Sequence, residues 1–230
     1  MTVTNVEGFL ASGVASGIKS NQELDLALIT TEDRKPISAA GVFTSNKMTA
    51  APVLVTRKHL EATEGFASTV VLNSGNANAA TGKQGLIDAE QMCELTAQGL
   101  GCESNEILVC STGWIGYPLP MEAVTYGIKN AIDSLDSDAG RTAAKAIMTT
   151  DTVPKNTFVE SEGFSVGGIS KGAAMLQPNM ATMLSVLTTD AVVDPKEATR
   201  LLRKAVAVSF NCLTVDGAES TNDTVILLAN

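Results

Sequence analysis

Lys171-Gly172-Ala173-Ala174-Met175-Leu176-Gln177-Pro178-Asn179-Met180-Ala181-Thr182-Met183-Leu184 is the stretch on which the reading of this chain turns. It contains no His, no metal-ligand cluster and no phosphate loop. What it offers is a small-residue junction, Ala181-Thr182, between a Pro/Asn turn and an apolar run. Such a junction can be an ordinary loop-to-strand boundary, and on this peptide alone that is the commoner reading. It can also be a self-cleavage site that releases a threonine with a free α-amine. A threonine of that kind carries nucleophile and base on one residue, because its amine can accept the hydroxyl proton. The amine's ordinary pKa of about 7.7–8.0 suits the task near neutrality.

Composition narrows the rest. At 230 residues the chain can bury a substantial core, as one large domain or two small ones. Hydrophobic residues make up 44% and charged residues 18%, which excludes a disordered or tail-like protein. Aromatic residues are only 4%, so the core must be built from Ala, Val, Leu, Ile and Met. A formal net charge of -9 argues against nucleic acid or an anionic membrane surface as partner. No apolar run is long enough to span a bilayer. The N-terminus lacks a basic region followed by an apolar one, so no signal peptide is read and a cytoplasmic location is expected.

The four cysteines, Cys93, Cys102, Cys110 and Cys212, show no zinc spacing, and no metal site is expected. Cys93 falls on an apolar helix face and Cys110 inside a strand pattern, which suits buried free thiols. The single histidine, His59, reads as lying where a strand end enters a surface turn. Acyl chemistry in this chain would therefore use a base other than histidine.

Short β-rich runs dominate the first part: Asp25–Thr31, Ala39–Thr44, Pro52–Arg57 and Thr69–Leu72. A helix reads from Gln84 to Leu100, with Leu86, Ala89, Cys93, Ala97 and Leu100 on one face. A strand follows at Glu106–Cys110, then helical segments near Met121–Asp133 and Ala139–Met148. Ser165–Ile169 and Met183–Val193 read as strands. Asp194-Pro195-Lys196-Glu197 is a helix start, with Asp194 as cap and Pro195 in the first turn. Ala198, Leu201, Leu202, Ala205 and Val208 would line the apolar face. The fold class is mixed α/β, with strands and helices interleaved.

Three polar segments are candidates for chemistry. Asn73-Ser74-Gly75-Asn76-Ala77-Asn78-Ala79 ends a strand and by itself reads as a tight turn. Ser111-Thr112-Gly113-Trp114 also ends a strand. There a backbone N–H and a hydroxyl can converge on one point, as an oxyanion hole requires. Met148-Thr149-Thr150-Asp151-Thr152 is either a helix cap and loop or a contact for the ammonium or carboxylate of an amino acid. Lys171 can supply a cation for an acidic group. Thr81-Gly82-Lys83-Gln84 lacks the upstream glycine of a phosphate loop.

Taken together and in order, these segments resemble the ornithine acetyltransferase family, also called ArgJ. The resemblance also runs through Gly8-Phe9-Leu10-Ala11-Ser12-Gly13, Pro178-Asn179-Met180-Ala181-Thr182-Met183-Leu184 and Ser220-Thr221-Asn222-Asp223-Thr224. It implies an ArgJ/DmpA-like architecture of the N-terminal-nucleophile type. It implies self-cleavage between Ala181 and Thr182, giving an α-chain region (residues 1–181) and the start of a β chain (residues 182–230). It implies Thr182 as nucleophile, Thr112 and Gly113 as oxyanion donors, and Thr149, Lys171 and Thr182 as substrate contacts. The implied reaction moves acetyl from N-acetylornithine to glutamate through an acetyl-threonine, in arginine biosynthesis. Some members also take acetyl-CoA as a co-substrate, and no resident cofactor is implied. The family assembles as an α2β2 heterotetramer in the cytoplasm. A related N-terminal-nucleophile amidohydrolase is the alternative.

Trp114 stands where the family usually has a small aliphatic residue, and Gln177 and Ala218-Glu219 vary other familiar strings. The family's later substrate-binding Glu and C-terminal Asn and Ser/Thr have no counterpart before Asn230. The chain is thus expected to be a partial member, inactive without its remainder. Its last strand, Val225–Leu228, is expected to be an unpaired edge that favours aggregation and lowers stability.

Overall fold

Alternation of apolar side chains sets the layers. In Leu26-Ala27-Leu28-Ile29, Leu26 and Leu28 pack into one cluster and Ala27 and Ile29 into another. A strand buried on both faces must have a layer on either side. The computed structural model describes residues 1–175 and 183–230 and supplies those layers. Its elements are β1 (Phe9–Val14), β2 (Leu26–Thr31), β3 (Ile37–Phe43), α1 (Ala51–Ala62), β4 (Phe66–Ala67), β5 (Thr69–Asn76), α2 (Gly82–Leu100), β6 (Ile107–Trp114), α3 (Met121–Asp133) and α4 (Gly140–Ala146). They continue with β7 (Lys155–Ser161), β8 (Phe164–Lys171), β9 (Leu184–Thr189), α5 (Pro195–Ala207) and β10 (Thr224–Ala229).

The strands form two sheets, β1-β2-β5-β6 and β4-β3-β10-β9-β8-β7. The pairs β5/β6 and β9/β10 are parallel and the others antiparallel. Ala27, Ile29, Leu72 and Leu108 of the first sheet meet Ile169, Val186, Ile226 and Leu228 of the second, with α4 closing the same core. Leu26, Leu28, Val71 and Val109 face the other way, onto α1, α2 and α3. Val225 and Ala40 face α5 through Ala198, Leu202 and Val206. The order of layers is helix, sheet, sheet, helix.

Several expectations are corrected here. Pro52–Arg57 is not a strand but the first half of α1. Pro52 sits in the first turn, where its missing N–H costs nothing. Burial recurs at Pro52, Val55, Thr56 and His59, a helical spacing that overrides local β propensity. His59 is accordingly buried in that helix, not at a surface turn. On α5 only Ala198, Leu202 and Val206 are buried, whereas Leu201, Ala205 and Val208 are exposed. The last strand, β10, is not an edge: it pairs with β3 on one side and β9 on the other. Ile226 and Leu228 are fully buried there, each worth about 1.5–3 kcal/mol by transfer from water. Strands β1 and β7 escaped the sequence reading. The first is rich in small residues, and the second is an exposed edge with little apolar pattern.

Strand β6 is the edge of its sheet, yet its free side is occupied. The Thr56 hydroxyl donates to the Val109 carbonyl at 2.7 Å and accepts the Val109 N–H at 2.8 Å. His59 Nδ1 lies 2.8 Å from the Ile107 carbonyl, which can only accept, so Nδ1 carries the hydrogen. Side chains of α1 thus satisfy backbone groups that an edge strand leaves open. They also fix the height at which β6 delivers Ser111, Thr112 and Gly113.

Candidate active site

Strands β5 and β6 run parallel, so Asn73–Asn76 and Ser111–Trp114 emerge at the same end of the first sheet. At the neighbouring end of the second sheet, Lys171 of β8 pairs with Leu184 of β9, and Leu184 pairs with Thr224 of β10. Asn222 joins the two sheets. Its side-chain amide donates to the Ala77 carbonyl at 2.6 Å and to the Ser111 carbonyl at 3.0 Å. Between these ends opens a cavity of about 630 Å³. Thr112, Gly113, Thr149 and Lys171 all line it, so four of the site residues expected from sequence converge. Ala181 and Thr182 lie outside the described residues. A groove of about 690 Å³ between α1, β3 and α5 contains none of the expected residues.

Gly113 is required by geometry. Its φ is +134°, and an added Cβ would lie 2.3 Å from the Gly75 carbonyl carbon and 2.5 Å from the Asn76 nitrogen. The two strand ends cross that closely because Gly113 and Gly75, which face each other there, carry no side chains. Gly113→Ala is expected to cost at least about 1–3 kcal/mol from backbone strain alone. Urea denaturation should show a lowered midpoint, and an unchanged midpoint would contradict this packing.

Lys171 is 2% exposed, and its Nζ donates to Thr112 Oγ1 at 2.9 Å. Burial pulls its pKa down to about 8, against the pull of Asp151 and Asp223. Asp151 is a hub beneath the cavity. It accepts the Gly172 N–H at 2.9 Å and the Thr149 N–H at 3.3 Å, and it pairs with Lys155. Burial alone would push the Asp151 carboxyl up, but Lys155 and the two N–H groups outweigh it and hold it below the usual range. Asp151 therefore ties the Thr149 loop to the end of β8, and with it two of the expected substrate contacts. Trp114 is exposed at the cavity wall and meets Tyr117 edge to face at 6.5 Å.

Sequence reading gave no role to Asn222 or Asp223. Asp223 is 1% exposed and accepts the Met183 N–H through Oδ1 at 2.9 Å. The signal available was a run of small polar residues, Ser220–Asp223, leading straight into an apolar strand. Such a run reads as a turn unless it is known to be buried. Among the described residues no cluster of His, Cys, Asp or Glu is placed to hold a metal ion. No helix among them is long and apolar enough to cross a membrane.

Two face-to-face sheets enclosed by helices, with a cavity at the mouth between them, make an α/β fold similar to the ntn hydrolase fold. The l-aminopeptidase d-ala-esterase/amidase of Ochrobactrum anthropi, a variant of that fold, matches all of this chain and 74% of its own at a TM-score of 0.60. At 16% identity that likeness shows the fold alone. The ArgJ family profile matches residues 10–230, and the chain belongs to that family. It is 48% identical to the arginine biosynthesis bifunctional protein ArgJ of Geobacter sulfurreducens over 98% of this chain and 58% of that protein. The Streptomyces avermitilis protein of the same name is also 48% identical, over 100% of this chain and 59% of its own length. The chain thus spans less than two thirds of these relatives. Among solved structures, the ornithine acetyltransferase of Mycobacterium tuberculosis, complexed with ornithine, is 40% identical with a TM-score of 0.73. The match covers 80% of this chain and 96% of that one.

Proposed function

We propose that this chain carries the acyl-transfer site of a glutamate N-acetyltransferase that takes acetyl from N-acetylornithine. Family membership and the convergence of Thr112, Gly113, Thr149 and Lys171 on one cavity support the reading. In the proposed reaction the Thr182 hydroxyl attacks the acetyl carbonyl and passes its proton to its own α-amine. The oxyanion is met by the Thr112 hydroxyl and the Gly113 N–H. The ornithine amine leaves with the proton, and an acetyl ester remains on Thr182. The glutamate amine then attacks that ester and regenerates the threonine.

Thr149 and Lys171 are read as contacts to the amino-acid portion of the substrates. Scission between Ala181 and Thr182 would create the nucleophile, dividing the chain at residues 1–181 and 182–230. An α2β2 assembly, a cytoplasmic location and acetyl-CoA as an alternative donor belong to the same reading, which needs no resident cofactor.

Supplied with the part of its ArgJ relatives that it does not span, the chain is expected to turn N-acetylornithine and glutamate into N-acetylglutamate with ping-pong kinetics and an acetylated peptide beginning at Thr182. Release of acetate to water with no transfer to glutamate would identify an amidohydrolase and overturn the proposal.

A further inference from the structure

Among the described residues that line the cavity, the one charged side chain is Lys171, and none is an Asp or Glu. Asp151 lies beneath and is already engaged by Lys155, the Gly172 N–H and the Thr149 N–H. The two amino acids of the proposed reaction carry opposite charges at the ends of their side chains. N-acetylornithine ends in an ammonium and glutamate in a carboxylate. Lys171 Nζ donates one hydrogen to Thr112 Oγ1 and keeps two for a carboxylate. A side-chain ammonium is repelled by Lys171 and finds no anion on these walls.

What the walls offer instead is an aromatic face. Trp114 lines the cavity and is 73% exposed. Its T-shaped contact with Tyr117 can occupy only one face of the indole, which leaves the other open. An aromatic face attracts a cation through the ring quadrupole, and Trp is the strongest side chain for this. The backbone that carries the ring is fixed. The Trp114 carbonyl accepts the Ala77 N–H at 2.9 Å, and the Gly116 N–H donates to the Ala79 carbonyl at 2.9 Å. The Asn76 side-chain amide donates to the carbonyls of Tyr117 and Pro118, at 3.2 and 3.0 Å. The end of β5, which by itself reads as a tight turn, thus braces residues 114–118 at the cavity mouth. A ring carried on a fixed backbone loses less freedom when a ligand binds.

We infer that Trp114 is a specificity-determining residue: its open indole face forms the subsite for the side-chain ammonium of the ornithine-type substrate. The choice of ornithine rests on the acyl-transfer reading, whereas an ammonium subsite at Trp114 does not. Lys171 and Trp114 then divide the cavity by charge. A carboxylate is held at Lys171 by charge and hydrogen bonds, and an ammonium at Trp114 by the ring. Glutamate has no side-chain cation to place on the indole, so the two amino acids respond differently to loss of the ring.

Trp114 is the single tryptophan of the chain, so tryptophan fluorescence reports on this place alone. The probes are ornithine and norvaline, which has the same carbon chain without the side-chain ammonium. Ornithine is expected to change the emission along a saturating curve, and norvaline to leave it nearly unchanged. In calorimetry the preference for ornithine over norvaline should fall about two- to fivefold in Trp114→Leu, the range for a cation–π contact at an exposed site. Trp114→Phe should keep part of the preference, because a phenyl ring is a weaker partner for a cation. Trp114 is exposed, so neither replacement leaves a hole in the core. An unchanged preference in Trp114→Leu would overturn the inference. So would an emission that responds equally to both ligands, or to neither. Acetyl transfer by the completed enzyme alongside such a result would leave the acyl-transfer reading in place without the subsite. A selective response and a lost preference in a protein that transfers no acetyl would keep the subsite while that reading falls.

Discussion

Replacing Thr182 with alanine is expected to leave the chain in one piece, whereas the wild type separates into two with a new N-terminus at Thr182. In the proposed route the Thr182 oxygen attacks the carbonyl carbon of Ala181. The C–N bond to Thr182 breaks, its nitrogen takes up the proton and becomes a free amine, and an ester is left behind. Water then hydrolyses the ester, leaving a carboxylate on Ala181. Alanine has no hydroxyl, so no ester can form and the peptide bond survives. Intact-mass measurement reads the difference directly. Cleavage of the Thr182→Ala chain at the same bond would mean that another agent cuts it, and the N-terminal threonine would lose its role.

Removing the Thr112 hydroxyl is expected to lower kcat by about 10²–10³, the cost of losing one oxyanion donor. KM should change much less, because the donor acts on charge that develops only in the transition state. Scission at Thr182 also passes through an oxyanion, so the comparison belongs on protein already cut. The packing favours a clean experiment. Thr112 is held by Lys171 and not by a backbone group, so Thr112→Ala leaves the edge contacts of Thr56 and His59 with β6 in place. An unchanged kcat in the cut variant would exclude Thr112 from the chemistry.

Much of the fold was legible where periodicity was strong. Helices α2, α3 and α5 and strands β2, β3, β5 and β6 announce themselves through spacing, caps and punctuation. The misreadings have physical causes. Val53-Leu54-Val55-Thr56 carries β propensity, and only the burial of Pro52, Val55, Thr56 and His59 on one face shows that helix wins. The pairing of β10 could not be read locally, because its neighbours β3 and β9 are brought to it by the whole topology. Among candidate site residues, Thr112, Gly113, Thr149 and Lys171 lay in segments singled out by residue type, and the resemblance supplied their expected roles. They lie up to 59 positions apart, as the Lys171–Thr112 hydrogen bond shows. Asn222 and Asp223 drew no role because sequence does not convey that they are buried.

The strand order of the larger sheet also sets a sequence of events. Reading across it, β3 comes from before Thr182, β10 and β9 from after it, and β8 and β7 again from before. Scission at that residue would produce two pieces gripped like a key in a lock: the later piece is inserted between strands of the earlier one. Dilution should not separate them; made alone, the earlier piece would present an open slot and the later piece two unpaired strand edges. Within one chain the two pieces meet at high effective concentration, so folding is expected to precede cutting. A packing defect at Ile226, on the buried face of β10, should then first be seen as chain that fails to cut and only afterwards as lost transfer.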